Sequence, residues 1–559
     1  MRVLTAAQMS EVDRRSVESG VAVRTLMENA GSAVARFCLR RYGGDGPVVV
    51  LCGKGNNGGD GAVAARLLAE IQTPVRLVLL ASLEDARGDA ASALSRAKAT
   101  QGLEFVEAKD EAALRMALKD AKLIIDAVVG TGFKPPLRGF AAVARDLIAA
   151  MKAPVVAVDL PSGWDADATA QTSADESGKA QAFRANAVVT FVAPKLAHVF
   201  GHLTAPDVFG PVVVAQIGTP AGALEESGDL GWAGSAKKLT ERPRDINGNK
   251  GKFGHVLIVG GSVGKAGAPA MASLAAMRTG AGLTTAAVPR EILPTVAAVA
   301  PELMCMPLDA GPGPRAQGSG EAGLSLDELD EGGLERLLKG ITVVGMGPGL
   351  GQSGTTPEFV RTFVERVSLP MVLDADALNA IAGRTELLKR AAAARDATGR
   401  ARTIVLTPHP GEMARLVESS VKEVEADRVG LARRFATEHG VTLVLKGWRT
   451  LIAHPDGRVA VNTTGNPGMA KGGSGDILTG IVAAMLAQYP DDVANAVEAA
   501  VFLHGLAGDF ATMDQEDHTV LATDTVRHLA QAFRARLTDE DGLTWIAGLA
   551  ARGRSAANA

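Results

Sequence analysis

The chain of 559 residues is too long for one ordinary hydrophobic core, so about two to four domains are expected. A net charge of −4 argues against a general electrostatic nucleic-acid binder. No uncharged apolar run reaches about 18 residues and the N-terminus lacks a signal-peptide core, so we expect neither a membrane span nor secretion. The three cysteines, Cys38, Cys52 and Cys305, lie far apart without metal-binding spacing, which favours the reducing cytoplasm.

The elements predicted first along the chain are a helix over residues 5–40, a buried strand over 47–52, a glycine-rich loop over 53–61 and a helix over 62–71. A strand, a glycine loop and a helix in this order are typical of nucleotide-binding α/β folds. The loop is neither the dinucleotide fingerprint nor a P-loop, because its glycine spacing differs and no Lys-Ser/Thr pair follows. Asn56, Asn57 and Asp60 add polar groups that a structural turn does not need, which favours a binding role.

Two later strands of the first half end in an aspartate, Asp126 and Asp159, and each is followed by a glycine turn. Ligands of open parallel sheets bind outside the carboxyl ends of the strands, so we expect both carboxylates to face the same crevice as the Asn57 loop. A loop cap is the structural alternative for each aspartate taken alone.

Other polar side chains of the first half are less specific. Asn57, Asp126 and Ser162 are oxygen donors that could hold a monovalent or a divalent cation, and their spacing leaves the choice open. Lys195 is interpreted as an ordinary solvated lysine, and the role of His198 stays open.

A boundary is predicted within residues 218–251, and a second α/β pattern begins at Gly254. Strands of this half end in Asp374, in His409 and in Lys446. A histidine in His-Pro-Gly-Glu lacks zinc-site spacing and suits contact with a polar or anionic ligand. Lys446 suits a nucleotide phosphate, with a solvated lysine as the alternative.

The most informative stretch is 465–480, where glycines 472, 473 and 475 precede an apolar helix. Free backbone N–H groups at a helix N-terminus favour an anion. Asp476 lies beside that anion, where a carboxylate could take the proton of a hydroxyl that attacks a phosphoryl group. An N-terminal helix cap is the structural alternative.

Several of these motifs together resemble two known families. The motifs at 252–262, 374–379, 407–413 and 465–476 resemble the ADP/ATP-dependent NAD(P)H-hydrate dehydratases, which have a ribokinase-like fold. The motifs at 26–31, 55–61, 126–132 and 159–163 resemble the NAD(P)H-hydrate epimerases, which have a Rossmann-like fold. Their order is similar to that of the bifunctional bacterial NAD(P)H-hydrate repair enzymes, and the resemblance covers about residues 1–540.

The resemblance implies an α/β fold class with two domains, an N-terminal Rossmann-like three-layer sandwich and a C-terminal ribokinase-like fold. The implied limits are an epimerase domain at 1–225, a linker at 226–245, a dehydratase domain at 246–545 and a disordered tail at 546–559. The implied reaction is repair of NADH and NADPH that carry a hydroxyl at C6 of the nicotinamide ring. The first domain would interconvert the R and S hydrates, and the second would phosphorylate the S hydroxyl and eliminate phosphate.

The resemblance also implies a role for individual residues. Asp476 and Asp159 would be catalytic. The first domain would hold the hydrate through Asn56, Asn57, Gly58, Gly59, Asp60, Gly130, Thr131, Gly132, Phe133, Lys134, Pro135, Pro136 and Asp159. The second domain would hold it through Ala268, Gly349, His409 and Asp476, and the nucleotide through Lys446, Gly447, Trp448, Arg449, Thr450 and Gly475.

The implied cofactors are K⁺ on Asn57, Asp126 and Ser162 and Mg²⁺ with the nucleotide, ADP or ATP, of which ADP is favoured. A homo-oligomer is expected, with no nucleic acid or membrane partner. One departure from the pattern is Lys471, which stands where many relatives have a small hydroxyl residue; it would contact phosphate or lie in solvent. The alternative function is a ribokinase-like small-molecule kinase with a non-catalytic N-terminal binding or oligomerisation module.

Overall fold

The computed structural model describes residues 1–44, 46–169, 181–204, 210–224, 228–311, 323–395, 399 and 401–552. The chain forms two compact units, the first made of Met1–Gly228 and the chain from Arg536 onward, the second of Asp229–Ala535. No helix of the described residues is both long and apolar enough to cross a membrane.

Strands and helices are numbered in chain order over the described residues. The strands are β1 Val48–Cys52, β2 Val75–Leu79, β3 Leu103–Glu107, β4 Leu123–Ala127, β5 Val155–Val158, β6 Ala187–Phe191, β7 Val212–Ala215, β8 Leu230–Trp232, β9 His255–Val259, β10 Leu283–Pro289, β11 Met304–Leu308, β12 Val343–Met346, β13 Met371–Leu373, β14 Ile404–Leu406, β15 Thr442–Leu445, β16 Leu451–Ala453, β17 Val459–Val461 and β18 Leu543–Ala547.

The helices are α1 Ala6–Glu18, α2 Val23–Tyr42, α3 Asn56–Glu70, α4 Gly88–Lys98, α5 Glu111–Leu118, α6 Gly139–Ala149, α7 Leu196–Phe200, α8 Gly267–Thr279, α9 Leu293–Ala297, α10 Glu331–Leu338, α11 Thr356–Arg366, α12 Ala375–Ile381, α13 Glu386–Ala393, α14 Pro410–Leu416, α15 Val421–Ala426, α16 Arg428–His439, α17 Ser474–Gln488, α18 Val493–Asp514 and α19 Ala522–Arg534.

The sheet of the first unit has the strand order β18-β7-β6-β5-β4-β1-β2-β3. Its strands pair in parallel except β18, which is antiparallel to β7. Residues of β1, β4, β5 and β6 are buried along their whole length, as expected for a parallel sheet covered on both faces. The chain leaves β1 towards β2 and β3 and then returns to β4, so the loops after β1 and β4 diverge and open a crevice between them.

The sheet of the second unit has the order β11-β10-β9-β12-β13-β14-β15-β16-β17-β8. Strands β9 to β15 pair in parallel, and β16 and β17 continue the sheet as an antiparallel hairpin. The neighbouring strands β12 to β15 therefore bring their carboxyl ends to one edge. The predicted fold class, α/β with a Rossmann-like first part and a ribokinase-like second part, is confirmed.

Helix α17 approaches this edge at backbone contact with α8. A Cβ on Gly480 would lie 2.0 Å from the carbonyl oxygen of Ala272, so no larger residue fits between the helices. Gly473 turns the chain into α17 with a φ of +96°. The N-terminus of α17 is thereby held beside β12 and β13.

Two element predictions for the first half are wrong. The single helix over 5–40 is two helices, because α1 ends at Glu18 and Gly20 follows with a φ of +91° before α2 begins at Val23. The helix predicted from residue 62 already begins at Asn56, so part of the glycine loop forms its first turn. Gly58 permits this turn, because a Cβ there would meet the Gly53 carbonyl oxygen at 1.8 Å.

The two units also divide the chain differently from the expected domain limits. The described part of the expected linker includes β8 and a 3-10 helix, Ala233–Glu241, both in the second unit. Strand β18, which overlaps the end of the expected dehydratase domain, pairs with β7 of the first unit. Of the expected disordered tail, residues 553–559 lie outside the described residues.

Candidate active sites

A cleft of about 920 Å³ opens where the loops after β1 and β4 diverge. The predicted residues that line it are Asn56, Asn57, Asp60, Gly130, Thr131, Gly132, Phe133 and Asp159. The remaining predicted binding residues, Gly58, Gly59, Lys134, Pro135 and Pro136, are not among the described lining residues. Lys134 is exposed and forms ion pairs with Asp165 at 2.9 Å and Asp167 at 3.1 Å.

Asp159 follows β5 and is buried, with both carboxylate oxygens engaged. Oδ1 accepts hydrogen bonds from Lys195 Nζ and Thr190 Oγ1, each at 2.8 Å. Oδ2 accepts from the Thr131 N–H at 2.9 Å and from the Thr131 hydroxyl. A Cβ on Gly130 would lie 3.1 Å from Oδ2 and 3.0 Å from Asn57 Oδ1, so both polar groups border the same glycine.

The interpretation of Lys195 as a solvated lysine is wrong. Its side chain is 2% exposed, and besides Asp159 it donates to Thr190 Oγ1 at 2.8 Å and to the Phe191 carbonyl at 3.3 Å. The sequence shows only that Lys195 follows β6; it does not show that β6 lies next to β5 in the sheet. That neighbourhood brings the ammonium group to the carboxylate.

His198, left open by the sequence, fixes the backbone around Asp159. Its Nδ1 accepts the Lys195 N–H at 2.8 Å, so Nε2 carries the proton and donates to the Asp159 carbonyl oxygen at 2.7 Å. Burial and the Lys195 charge lower the pKa of His198 to about 4, so the ring is neutral near pH 7. Asp159 has a left-handed φ of +66°, a conformation that persists only when surrounding contacts hold it.

The carboxylates of this cleft have opposed pKa shifts. Burial alone would raise the pKa of Asp159, but the charge and hydrogen bonds of Lys195 lower it well below its usual range. Burial and the charges of Asp159 and Asp13 raise the pKa of Asp60 well above its usual range. Desolvation raises the pKa of Asp13, on α1, to about 6. Environments that separate the pKa values of neighbouring carboxyls suit one of them as base and another as acid.

The three predicted cation ligands lie around the loop that follows β4. Asp126 is fully buried and accepts from the Ser162 hydroxyl at 2.6 Å and the Ser162 N–H at 2.7 Å. Ser162 Oγ in turn accepts from the Val129 N–H at 2.9 Å. Burial raises the pKa of Asp126 to about 6. Within the described residues, the buried amide nitrogen of Asn57 has no hydrogen-bond partner.

In the second unit, an ion pair between a partly buried lysine and a buried aspartate lies at the carboxyl edge of the sheet. Asp374, which follows β13, accepts from Lys446 Nζ at 2.8 Å and from Thr479 Oγ1 at 2.9 Å. Glu412 lies 3.8 Å from the same ammonium group. Burial would raise the pKa of Asp374, but Lys446 lowers it; burial would lower the pKa of Lys446, but Asp374 and Glu412 raise it. Lys446 is therefore a charged group between carboxylates and not a solvated lysine.

Asp476 lies in the first turn of α17, beside this ion pair. Burial and the negative charge of Asp374 raise its pKa to about 6, against the opposing effect of Lys446. A Cβ on Gly475 would come within 3.3 Å of Lys446 Nζ, so the helix terminus and the lysine lie close together. The capping alternative is not supported: α17 starts at Ser474 after Gly473, and no side chain caps it.

The other predicted residues of the second unit lie on loops at this edge. His409 caps α14: its Nδ1 accepts the Gly411 N–H at 3.0 Å, while Glu412 accepts the His409 N–H at 2.8 Å. Gly349 adjoins Ala268, whose Cβ would lie 3.1 Å from a Cβ placed on the glycine.

The predicted nucleotide-binding residues 446–450 form the loop that follows β15. The Arg449 guanidinium carbon lies 4.3 Å from the centre of the Trp448 ring. Arg449 also donates to the Thr463 carbonyl at 2.7 Å, and the Thr450 hydroxyl donates to the Gly447 carbonyl at 3.1 Å. The loop is thus ordered by its own side chains next to Lys446.

Lys471 does not extend freely into solvent. Its ammonium group donates to the His518 carbonyl at 2.8 Å and to the Val520 carbonyl. The lysine therefore fastens the glycine turn before α17 to the loop that precedes α19.

Sequence reasoning missed the residues that support the catalytic candidates. Thr190 and Thr479 donate to Asp159 and Asp374, yet each is one of many buried threonines without a local signature. The pattern in which Lys195 and Lys446 each follow a strand was the available signal. Only the order of strands in the sheet shows which carboxylate each lysine meets.

The structure is thus a two-unit α/β protein with a cleft at the sheet of one unit and a lysine–carboxylate cluster beside a glycine-rich helix start in the other. Residues 256–531 match the family model of the NAD(P)H-hydrate dehydratases, and residues 23–197 match the model of the YjeF-related protein N-terminus. The chain belongs to the family of bifunctional NAD(P)H-hydrate repair enzymes, as the resemblance implied.

Relatives of this family align along almost the whole chain. The bifunctional NAD(P)H-hydrate repair enzyme of Moorella thermoacetica is 39% identical over 563 residues, covering 98% of this chain and 99% of the relative. The Escherichia coli enzyme of the same name is 34% identical over 526 residues, covering 93% and 92%. Among solved structures, the ADP/ATP-dependent NAD(P)H-hydrate dehydratase from Bacillus subtilis, co-crystallised with ATP/Mg²⁺, is 30% identical over 55% of this chain and 99% of its own, with a TM-score of 0.43.

Proposed function

We propose that this chain repairs hydrated NADH and NADPH in two steps, with Asp159 as the catalytic group of the first and Asp476 as that of the second. The enzyme is an NAD(P)H-hydrate epimerase and a nucleotide-dependent NAD(P)H-hydrate dehydratase in one polypeptide. The observation that carries the residue roles is geometric: Asp159 lines the cleft of the first unit with Oδ2 held at Thr131, and Asp476 lies in the first turn of α17 beside the Lys446–Asp374 ion pair.

Epimerisation must break and remake a bond at C6 of the hydrate, a carbon that bears both a hydroxyl group and the ring nitrogen. When the C6–N bond breaks, a base takes the hydroxyl proton as the aldehyde forms and the ring nitrogen gains a proton; ring closure on the other face reverses these transfers. Breaking the C6–O bond would instead need a proton donor for the leaving oxygen, so an ionised carboxylate suits the ring-opening route. Asp159 meets this requirement, because Lys195 keeps its carboxylate charged in a buried position. The glycine-lined wall at Gly130–Gly132 leaves room for the ring next to that carboxylate.

In the second unit, Asp476 takes the proton of the C6 hydroxyl while that oxygen attacks the terminal phosphoryl group of the nucleotide. The N–H groups of the 472–475 turn and the Lys446 ammonium group stabilise the negative charge of the transferred group. The C6–O bond then breaks, phosphate leaves and the C5 proton is lost, which restores the double bond of NAD(P)H. Ala268, Gly349 and His409 would hold the hydrate, and the nucleotide would lie along 446–450 and Gly475.

The co-substrate is an adenine nucleotide, and we propose ADP as the preferred donor. Mg²⁺ would enter with the nucleotide phosphates. No group of three or more His, Cys, Asp or Glu side chains in the described part of the chain is placed to hold a metal alone. Mg²⁺ commonly binds through substrate phosphates and only one or two carboxylates. The nucleotide phosphates together with a carboxylate at this edge, such as Asp374 or Asp476, would provide such a set of ligands.

The proposed potassium ligands of the first unit are Asn57, Asp126 and Ser162. Their donors are oxygens from one carboxylate, one amide and one hydroxyl, and two of them, Asp126 Oδ1 and Ser162 Oγ, lie 2.6 Å apart. A monovalent ion suits so weakly charged a donor set. Its positive charge would help to hold the loops after β1, β4 and β5 in register. Replacing K⁺ by a large organic cation should slow epimerisation and leave dehydration unchanged.

The central experiment mixes the protein with hydrated NADH, Mg²⁺ and either ADP or ATP. With ADP, the near-ultraviolet absorbance of NADH should recover directly when pure S hydrate is supplied. When pure R hydrate is supplied, the absorbance should recover at the rate at which the first unit converts R to S. If neither nucleotide restores NADH, the proposed repair function is contradicted. A stable phosphorylated product would favour the small-molecule kinase alternative. We further propose that the protein is cytoplasmic and forms a homo-oligomer. Light scattering of the purified protein would test the oligomeric state.

A further inference from the structure

Lys195 is the buried cation of the epimerase cleft, and neither the binding motifs nor the proposed ligands account for it. Its side chain is almost fully buried, the residue lines the cleft, and its ammonium group donates to Asp159 Oδ1 at 2.8 Å. Burying a charged lysine is costly unless it is paired and hydrogen-bonded. The three acceptors around its Nζ meet this requirement and hold the ammonium group in one place. Those acceptors are Asp159 Oδ1, Thr190 Oγ1 and the Phe191 carbonyl oxygen.

The hydrogen bonds around Asp159 divide its carboxylate into two ends. Oδ1 faces the protein, where Lys195 and Thr190 hold it from β6 and the turn after it. Oδ2 faces Thr131 and Gly130 on the cleft wall. Because Lys195 fixes the inner oxygen, the outer oxygen is the one directed at substrate.

We propose that Lys195 is a positioning residue of the epimerase, which holds Asp159 as a carboxylate and aims its Oδ2 into the cleft. This inference rests on the proposed function of Asp159. Lys195 touches Asp159 rather than the reacting atoms, so it acts through that carboxylate.

The other charged groups that face Asp159 make Lys195 necessary. Asp60 on α3 and Asp13 on α1 line the same cleft, and the charge of Asp159 helps to raise the pKa of both, so neither supplies a positive charge there. His198 on α7 is neutral near pH 7 and donates only to the Asp159 backbone. Lys54 and Asp85 also line the cleft, but among the described contacts of Asp159 it is Lys195 whose ammonium group pairs with the carboxylate.

The test compares the pH dependence of kcat/KM for epimerisation between the wild-type protein and Lys195→Met. Wild type should keep its rate as pH falls towards 5, because Asp159 stays ionised. In Lys195→Met, a buried carboxylate without a counter-charge should take up a proton nearer neutrality, so epimerisation should fall about 10- to 100-fold at pH 6 and recover towards alkaline pH. Lys195→Arg should restore the wild-type pH profile at a reduced rate, because it keeps the charge but alters the geometry.

Lys98→Met is the matched control, because Lys98 also pairs with a carboxylate, Glu107 at 3.5 Å, but on the exposed surface. It should leave the profile unchanged. If Lys195→Met does not fold, as judged by thermal denaturation, Thr190→Val removes the hydroxyl shared by the ion pair and should move the profile in the same direction by a smaller amount.

Two negative results remain distinct. A wild-type protein without epimerase activity overturns the proposed function. An active wild type whose Lys195→Met variant merely loses rate equally at every pH overturns the positioning role and leaves Lys195 as a structural lysine.

Discussion

Each unit has a lysine–aspartate ion pair at the carboxyl edge of its sheet, fully buried in the first and partly buried in the second, but the proposed base stands in a different relation to each pair. In the first unit the base, Asp159, is the partner of Lys195. In the second unit the pair is Lys446 with Asp374, and the base, Asp476, lies beside it. The pKa of Asp159 is therefore lowered, whereas that of Asp476 is raised to about 6.

This difference matches the two reactions. Epimerisation needs a group that moves one proton to and fro, and an ionised Asp159 provides it over a wide pH range. Phosphoryl transfer to a hydroxyl needs a stronger base, and the raised pKa of Asp476 increases its affinity for the hydroxyl proton. The pKa of Asp159 is thus lowered by its own partner, whereas that of Asp476 is raised mainly by burial, with Asp374 adding to this shift and Lys446 opposing it. A buried ion pair is weak evidence for stability by itself, so tuning is the better account of both.

The largest effect should come from Asp476→Asn. Asparagine keeps the shape of the side chain but cannot accept the hydroxyl proton, so dehydration of the S hydrate should fall about 10³-fold. The measurement is the recovery of NADH absorbance, with nucleotide binding followed by calorimetry. Binding and epimerisation should persist in the same protein. More than a tenth of the wild-type dehydration rate would contradict the assignment of Asp476 as base.

Asp159→Asn should impair epimerisation in the first unit and leave dehydration in the second unit unchanged. Epimer exchange should slow about 10²-fold or more, because the amide is not a base, while the S hydrate is still dehydrated. Chiral separation of the two hydrates over time measures the exchange. The variant leaves Lys195 without its counter-charge, so thermal denaturation must accompany the assay, and Asp159→Asn/Lys195→Met is the matched neutral pair. Unchanged exchange would support the alternative of a non-catalytic N-terminal module.

The pH dependence of the two activities should separate in one protein. Asp476 must be ionised to accept a proton, so dehydration should fall about tenfold per pH unit below its pKa of about 6. Asp159 has a pKa below the usual range, so epimerisation should stay level over the same interval. Stopped assays of both reactions between pH 5 and 8 measure this, with recovery at neutral pH as the control for unfolding. If both activities fell over the same acidic pH range, the proposed difference in pKa between Asp159 and Asp476 would be contradicted.

The parts of this comparison differ in how far the sequence predicts them. The order of strands, glycine turns and strand-end aspartates is local, so Asp126, Asp159, Asp374 and the 472–475 turn are recognisable from the chain alone. The partner of each lysine is not local: Lys195 meets Asp159 because β5 and β6 are neighbours, and Lys446 meets Asp374 because β13 and β15 flank β14. Sequence reasoning interpreted Lys195 as solvated because burial and pairing depend on that tertiary arrangement.

The smallest effect, and the most specific to the comparison, is expected for Asp374→Asn. The negative charge of Asp374 disfavours the ionised form of Asp476, and the same carboxylate neutralises Lys446. Loss of that charge removes a repulsion and frees a positive charge, and both changes lower the pKa of Asp476. The acid limb of dehydration should therefore move down by about one pH unit, even though the plateau rate falls because Lys446 loses its partner.

The limb must be compared with each variant's own plateau, so that lost rate is not confused with a shifted pKa. At pH 5.5 the fraction of plateau activity should rise about threefold in Asp374→Asn, since a one-unit shift converts a mostly protonated base into a mostly ionised one. Asp376→Asn is the matched control: Asp376 accepts from the Gly351 N–H and lowers the ionisation of Asp476 less than Asp374 does, so its limb should move less. An acid limb that stays in place or moves to higher pH in Asp374→Asn would show that the pair beside Asp476 does not tune it. The two units would then differ only in which carboxylate is paired.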